Sequence, residues 1–256
     1  MSSSPKIVAL GAGRMGRGIA QVFAYAGHDV TILDFKDRSA EDSEKLLDLG
    51  KAEIKENLDF LVSLDVLDAA KIPAILNRIH GVALTEAADV LGDADYIFEG
   101  VPELLDYKED AIKRASALAS DEAVIASTTS TMLVTELAGF SSHPENFLNA
   151  HFLNPAYLIP LVEVSPSEQT DKAKLNAFVA LLESIGKTPV ICKASPGYII
   201  PRFQSLIMNE AVRMIEEGVA TAEDIDKAVR TGFGIRYATM GPVEFIDWGG
   251  VDILHY

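Results

Sequence analysis

"KIVALGAGRMGRGIAQVFAYAGHDVTILD", residues 6–34, is the stretch that decides the fold. Residues 6–10 form a short β-branched run that stops at the glycine turn GAGRMG. Met15, Ile19, Val22 and Phe23 then recur at helical spacing as far as Gly27, and HDVTILD supplies a second strand. Strand, helix and strand within about 30 residues make a crossover unit, which implies parallel strands and a right-handed connection. The glycines have separate duties. Gly11 permits the tight turn, Gly13 lets the backbone approach a pyrophosphate at the helix N-terminus, and Gly16 lets helix and strand pack closely. Ala12, Arg14 and Met15 complete the turn and belong to the same expected cofactor site. The second strand ends at Asp34, about 20 residues on, where a carboxylate accepts hydrogen bonds from ribose hydroxyls and repels a 2′-phosphate. The expected cofactor is therefore NAD rather than NADP. Lys36 and Arg38 argue the other way, since an arginine at that corner can hold the extra phosphate. The blander alternatives are a ligand-free glycine turn and an Asp34 that is only a surface charge.

Outward from this unit, residues 38–78 are charged, with Leu46, Leu47, Ile54, Leu58 and Leu61 at helical intervals and a break near Pro73. One or two helices with an exposed face are expected there. ADYIFEGV, AVIAST, FLNAHF, LVEVS and TPVICK read as further strands, with helices over about 103–119 and 171–185. This alternation predicts an α/β fold, a Rossmann-type doubly wound and mostly parallel sheet. At KASPGYII the character changes, and only helical patterns follow. The predicted boundary gives residues 1–194 as the nucleotide-binding domain and 195–256 as a smaller all-helical domain. Such a second domain has about 60 residues, marginal for a core of its own, and should pack on the first domain or on another subunit.

Composition narrows the function classes. Hydrophobic residues make up 48% and charged residues 23%, a globular profile. Acidic residues number 38 against 22 basic ones, a formal charge of −16, which opposes nucleic-acid binding because that rests on neutralising phosphates. No apolar run approaches a membrane span, and MSSSPKIVAL lacks the basic and apolar regions of a signal peptide. The lone Cys192 suits a reducing cytoplasm. No metal-binding spacing stands out.

A second stretch carries the chemistry. FLNAHFLNPAYLIPLVEVSP, residues 147–166, is apolar enough for core yet contains His151 and Glu163 in strand-like segments. Hydride transfer from a carbinol carbon needs a base for the hydroxyl proton, and histidine titrates near the operating pH. Glu163 would orient the ring and stabilise the imidazolium. Taken alone, His151 would more often be a satisfied structural histidine. His28 follows the helix-ending Gly27, and His80, His143 and His255 lie in loop-like or terminal contexts.

The set GAGRMGRGIA, EGVPE, STTS, HFLNP, LVEV, SPGYI and MGPVEFID, in that order along nearly the whole chain, resembles the L-3-hydroxyacyl-CoA dehydrogenase family. The resemblance implies a Rossmann domain followed by a helical dimerisation domain, and oxidation of a 3-hydroxyl with NAD through a His–Glu pair. It implies His151 as general base and Glu163 as its partner. It also implies Ser130 of STTS as the serine bonding the substrate oxygen beside the nicotinamide. By the same matching, Asn154 lies near the nicotinamide, and Glu103 and Lys108 contact the cofactor's ribose and nicotinamide half. Competing roles are a helix N-cap for Ser130, before MLVTELAG, and an exposed helix charge for Lys108. The implied partners are a small-molecule substrate, an acyl-CoA or hydroxy acid of fatty acid metabolism, and a second copy of the chain in a cytoplasmic homodimer.

Two departures bear on the substrate. Where the family pattern reads GF(I/V)xNR, this chain has GYIIPR, so Pro201 replaces an asparagine that donates to the substrate carbonyl, and proline has no donor. The stretch GFGIRYATMGP is longer than usual and carries Arg236, as in relatives acting on free hydroxy acids such as gulonate and carnitine. An arginine can hold a carboxylate bidentately, or can simply serve as a helix-end charge. The acidic KENLDFLVSLDVLDAAK offers few partners for a CoA phosphate. Two alternatives follow: a dehydrogenase of a small carboxylate-bearing hydroxy acid or aldehyde held by Arg236, and a non-catalytic NAD-binding protein. The family's second domain is usually longer, so the one read here is expected to be incomplete.

Overall fold

The computed structural model describes residues 4–250. Its order is β1 (Ile7–Leu10), α1 (Arg14–Tyr25), β2 (Val30–Leu33), α2 (Ala40–Ser63), α3 (Ile72–Asn77), β3 (Ile79–Val82), α4 (Ala87–Gly92) and β4 (Tyr96–Glu99). There follow α5 (Leu105–Leu118), β5 (Val124–Ser127), α6 (Val134–Leu137), β6 (Phe147–Phe152), β7 (Leu161–Pro166), α7 (Lys172–Ser184) and β8 (Thr188–Ile191). The strands form one sheet in the order β3-β2-β1-β4-β5-β6-β7-β8. All neighbours are parallel except β6 and β7, which run antiparallel. This is the expected doubly wound, mostly parallel α/β sheet. Strand order reverses between β1 and β4, and ligands of such sheets bind in the crevice beyond the carboxyl ends at that point.

β1 and β5 are buried at every position, because helices cover both faces of the sheet and the strands read as continuous apolar runs. On one face Ile19, Phe23, Leu58, Phe98 and Phe178 share a core; on the other Leu10, Leu33, Ile112, Leu137 and Phe147 do. Each such side chain contributes about 1.5–3 kcal/mol on burial. Gly16 is where α1 meets β1: a Cβ there would lie 1.9 Å from the Gly11 carbonyl oxygen, so only glycine admits the approach.

Three local expectations are corrected. β3 was not predicted, and His80 lies on it rather than in a loop. The strand is a four-residue edge, IHGV, with two exposed central residues, so no apolar run announces it. The helical break lies before Pro73, after Leu64, and Pro73 instead sits in the first turn of α3, where its missing N–H costs no helical bond. Ser130 is not a helix N-cap, since α6 begins at Val134 after Leu133.

Residues beyond Ile199 form a second compact unit. It is helical, with α8 (Ile200–Glu216), α9 (Ala222–Ala228), a π-turn over Val229–Gly234, α10 (Ile235–Tyr237) and α11 (Pro242–Gly249). Among its described residues only Ile225 is buried, while Leu206, Met208, Val212 and Trp248 are exposed. His255 lies outside the described residues.

Candidate active site

At the switch point Gly11 takes φ +90° and Gly100 lies against it, its N–H donating to the Leu10 carbonyl. The α1 N-terminus begins after Gly13 without a side-chain cap, so its first N–H groups are available to an anion. Arg17 donates to the Ala12 carbonyl and pairs with Glu53. At the end of β2, Asp34 is 2% exposed, which removes the surface-charge reading. One of its oxygens accepts from the Ser43 hydroxyl at 2.9 Å, and the other faces Arg38 at 3.6 Å. Arg38 is thus already turned to a carboxylate, as suits a ribose diol better than a phosphate. The uncapped helix, the glycine turn and the acidic β2 end together fit NAD.

The antiparallel β6–β7 pair sets His151 directly opposite Glu163. Residues twelve apart along the chain thereby meet, with Nδ1 of His151 2.7 Å from Oε2 of Glu163. Facing an ionised carboxylate, Nδ1 is the donor, and Nε2 is left as the basic ring nitrogen. Glu163 is fully buried, and its Oε1 accepts the Ile199 N–H at 2.8 Å. The Tyr198 ring lies parallel to the imidazole, centroids 5.3 Å apart. The other described histidines are engaged elsewhere: His28 with Ser4, His80 with Asp29, and His143 with Asp121 and Glu145.

Ser130 sits in a turn held by one carboxylate. Oε1 of Glu103 accepts from the hydroxyls of Thr129 (2.5 Å), Ser130 (3.3 Å) and Thr131 (3.0 Å), and from the backbone N–H of Ser130 (2.9 Å) and Thr131 (3.1 Å). Lys108 is 1% exposed, so it is not an exposed helix charge. Its Nζ bridges Glu103 at 3.4 Å and both oxygens of Glu99 at 3.0 Å. Glu99 is also buried and accepts from the Val101 N–H and the Ser127 hydroxyl. Glu99 was missed in the sequence, although it is the first residue of EGVPE and follows an apolar strand directly.

Burial pushes the Glu103 carboxyl upward, but the Thr129 hydrogen bond, the Lys108 charge and the bonds from Ser130 and Thr131 outweigh it. The net result lies below the ordinary value. A carboxyl with a lowered folded pKa contributes stability that is complete above the unfolded value of about 4.3 and is lost as pH falls through the folded value. Glu103→Gln is therefore expected to be less stable than the parent at pH 7, with the gap narrowing at an acid pH below the unfolded value. Urea unfolding at both pH values checks this; a gap independent of pH would refute the assignment.

Asn154 opens the β6–β7 loop and is exposed. The loop behind it is tied down by Lys187, whose buried Nζ donates to the carbonyls of Ala156 and Ile159, and by Tyr157, whose hydroxyl donates to Asn57. Desolvation pushes the Lys187 ammonium pKa down. In the second unit, Pro201 is the second residue of α8, and exposed Arg236 stacks its guanidinium 4.3 Å from the Phe245 ring centroid. Among the described residues no carboxylate pairs with Arg236. None of the described helices is long and apolar enough to cross a membrane.

Comparison with known proteins identifies the family. The family model "3-hydroxyacyl-CoA dehydrogenase, NAD binding domain" matches residues 6–195, and "3-hydroxyacyl-CoA dehydrogenase, C-terminal domain" matches residues 197–256. The mitochondrial hydroxyacyl-coenzyme A dehydrogenase of Sus scrofa is 34% identical over 251 residues, covering 96% of this chain and 76% of that protein. The crystal structure of a (S)-3-hydroxybutyryl-CoA dehydrogenase from Ralstonia eutropha matches with a TM-score of 0.80 at 32% identity, over 91% of this chain and 78% of that one. A 5-formyl-3-hydroxy-2-methylpyridine 4-carboxylate 5-dehydrogenase of Mesorhizobium japonicum is 31% identical over 249 residues, covering 96% of this chain and 76% of that protein.

Proposed function

The chain belongs to the 3-hydroxyacyl-CoA dehydrogenase family of NAD-dependent enzymes, and from that premise we propose that it oxidises the 3-hydroxyl of a 3-hydroxyacyl-CoA, or of a closely similar 3-hydroxy acid, with His151 as base. The observation that carries this reading is the 2.7 Å bond between His151 and Glu163, fixed by strand register. Bound NAD supplies the hydride acceptor. The protein's part is proton handling and orientation. His151 Nε2 takes the hydroxyl proton, and the buried Glu163 carboxylate holds Nδ1–H and stabilises the imidazolium that results. Ser130, its backbone N–H held by Glu103, turns its hydroxyl from the long 3.3 Å bond to Glu103 towards the substrate oxygen and donates to it there. The Gly11–Gly16 turn offers the pyrophosphate the free backbone N–H groups at the start of α1, the Gly11 N–H itself being spent on the Leu33 carbonyl, and Asp34 binds the adenosine ribose. Lys108, Glu103 and Asn154 border the nicotinamide half. A cytoplasmic homodimer goes with this reading, supported by the single cysteine and by the apolar side chains exposed on the second unit.

A second substrate reading has its own support: Arg236 is in no ion pair among the described residues, and the Mesorhizobium relative is named for a carboxylate-bearing aldehyde. NADH oxidation by acetoacetyl-CoA and by free β-keto acids separates the two. The thioester is expected to show a kcat/KM at least about 100-fold higher, the scale on which a lost recognition element discriminates. Arg236→Ala should leave that value unchanged. Faster turnover of the free acids, abolished by Arg236→Ala, would overturn the thioester reading.

A further inference from the structure

Tyr198 stands in the left-handed region at φ +43°, after Gly197 at φ +73°. That is a costly backbone for an aromatic residue, and such outliers persist only where their surroundings over-determine them. Here four contacts do so. The Tyr198 ring is 5% exposed and stacks on His151 with the two planes 1° apart. Its hydroxyl donates to the Thr129 carbonyl at 3.2 Å and accepts from the Asn149 side chain at 2.9 Å. The next N–H, that of Ile199, donates to Glu163. Asn149 precedes His151 by two positions on β6, which puts both side chains on one face of the sheet, and it also donates to the Met132 carbonyl at 3.0 Å. The Tyr198 hydroxyl and Asn149 therefore grip both ends of the turn that carries Ser130.

We propose that Tyr198 is a positioning residue: its ring sets the plane of the His151 imidazole, and its hydroxyl ties that ring to the Ser130 turn. The proposal rests on the dehydrogenase reading above for its kinetics but not for its geometry. The base and the oxygen-binding hydroxyl come from separate parts of the chain, the β6 strand and the turn after β5. Their relative placement must be held within a fraction of an ångström for proton and hydride transfer to be concerted in space. Tyr198 touches both, through its ring and through its hydroxyl.

Two variants separate the ring from the hydroxyl. Tyr198→Leu removes both functions and should lower kcat by about 30–100-fold, with KM and NADH affinity within twofold, the pattern of misplacement rather than lost binding. Tyr198→Phe keeps the stack and should recover most of that loss, staying about 3–10-fold below the parent. Proton NMR of the His151 ring supplies a readout independent of turnover. Its resonances should carry the ring-current shift in the parent and in Tyr198→Phe, and lose it in Tyr198→Leu. A Tyr198→Leu enzyme with at least half the parent kcat, a Tyr198→Phe enzyme as slow as the leucine variant, or unmoved His151 resonances would overturn the proposal. Should Tyr198→Leu fail to fold, a Tyr198→Phe enzyme with parental kcat would overturn the bridge to Ser130. A parent that turns over no thioester, hydroxy acid or aldehyde would instead defeat the dehydrogenase reading, and the NMR comparison would still decide the placement of His151.

Discussion

Glu163→Gln is expected to lower kcat by about 10³–10⁴-fold, as much as His151→Ala, although it changes only an oxygen for an amide nitrogen. The reason lies in two of the bonds that Glu163 makes. Its Oε1 receives the Ile199 N–H at 2.8 Å, and its Oε2 faces Nδ1 of His151 at 2.7 Å. A glutamine must keep its carbonyl towards Ile199, because the reverse orientation would oppose two N–H donors. Its amide then donates to Nδ1, the imidazole proton moves to Nε2, and the nitrogen that should accept the substrate proton is already protonated. NADH affinity should change less than about twofold in either variant, since neither side chain holds the nucleotide. A double variant should be little slower than either single one, as for residues acting as a unit. Near-parental turnover by Glu163→Gln, with NADH binding and circular dichroism unchanged, would sink the dyad.

How far this site was legible in the sequence depends on the range of the interactions involved. The glycine turn, Asp34 and the strands around His151 and Glu163 were readable because local patterns encode them: a β-branched run, a glycine spacing, an apolar helix stripe. That the two polar residues of FLNAHFLNPAYLIPLVEVSP act as a pair is implied by the family resemblance. The register, His151 opposite Glu163, is set by the antiparallel turn of the sheet and was not readable. β3 escaped because an exposed edge strand containing His80 and Gly81 has no alternation to detect. Glu99, Tyr198 and Lys187 escaped for a different reason. Each is chemically ordinary in its own segment, and its role arises only from what folding places beside it: a lysine from α5, an imidazole from β6, two carbonyls of the β6–β7 loop. The sign that could have drawn notice to Glu99 was a charged residue completing the apolar strand YIFE at the switch point.

Lys108→Met should be the most destabilising single change near the site, by about 3–5 kcal/mol, because it strands a buried carboxylate. Glu99 is fully buried, and Lys108 Nζ meets both of its oxygens at 3.0 Å. The Val101 N–H and the Ser127 hydroxyl satisfy part of its hydrogen-bonding capacity but none of its charge. Urea unfolding measures the loss, which corresponds to a fall in Tm of about 10 °C for a domain of this size. The decisive comparison is the double variant Lys108→Met with Glu99→Gln. Removing both charges leaves nothing to compensate, so most of the lost stability should return; a double variant as unstable as Lys108→Met would mean that the lysine acts through packing alone. Activity should not return with stability. Lys108 also reaches Glu103 at 3.4 Å, and Glu103 accepts hydrogen bonds from each of Thr129, Ser130 and Thr131 in the turn. The recovered fold would therefore carry a loosened Ser130, visible as a kcat that stays low while Tm recovers. That split would identify the buried ion pair at the carboxyl end of β4 as what connects the fold's stability to the placement of its reactive groups.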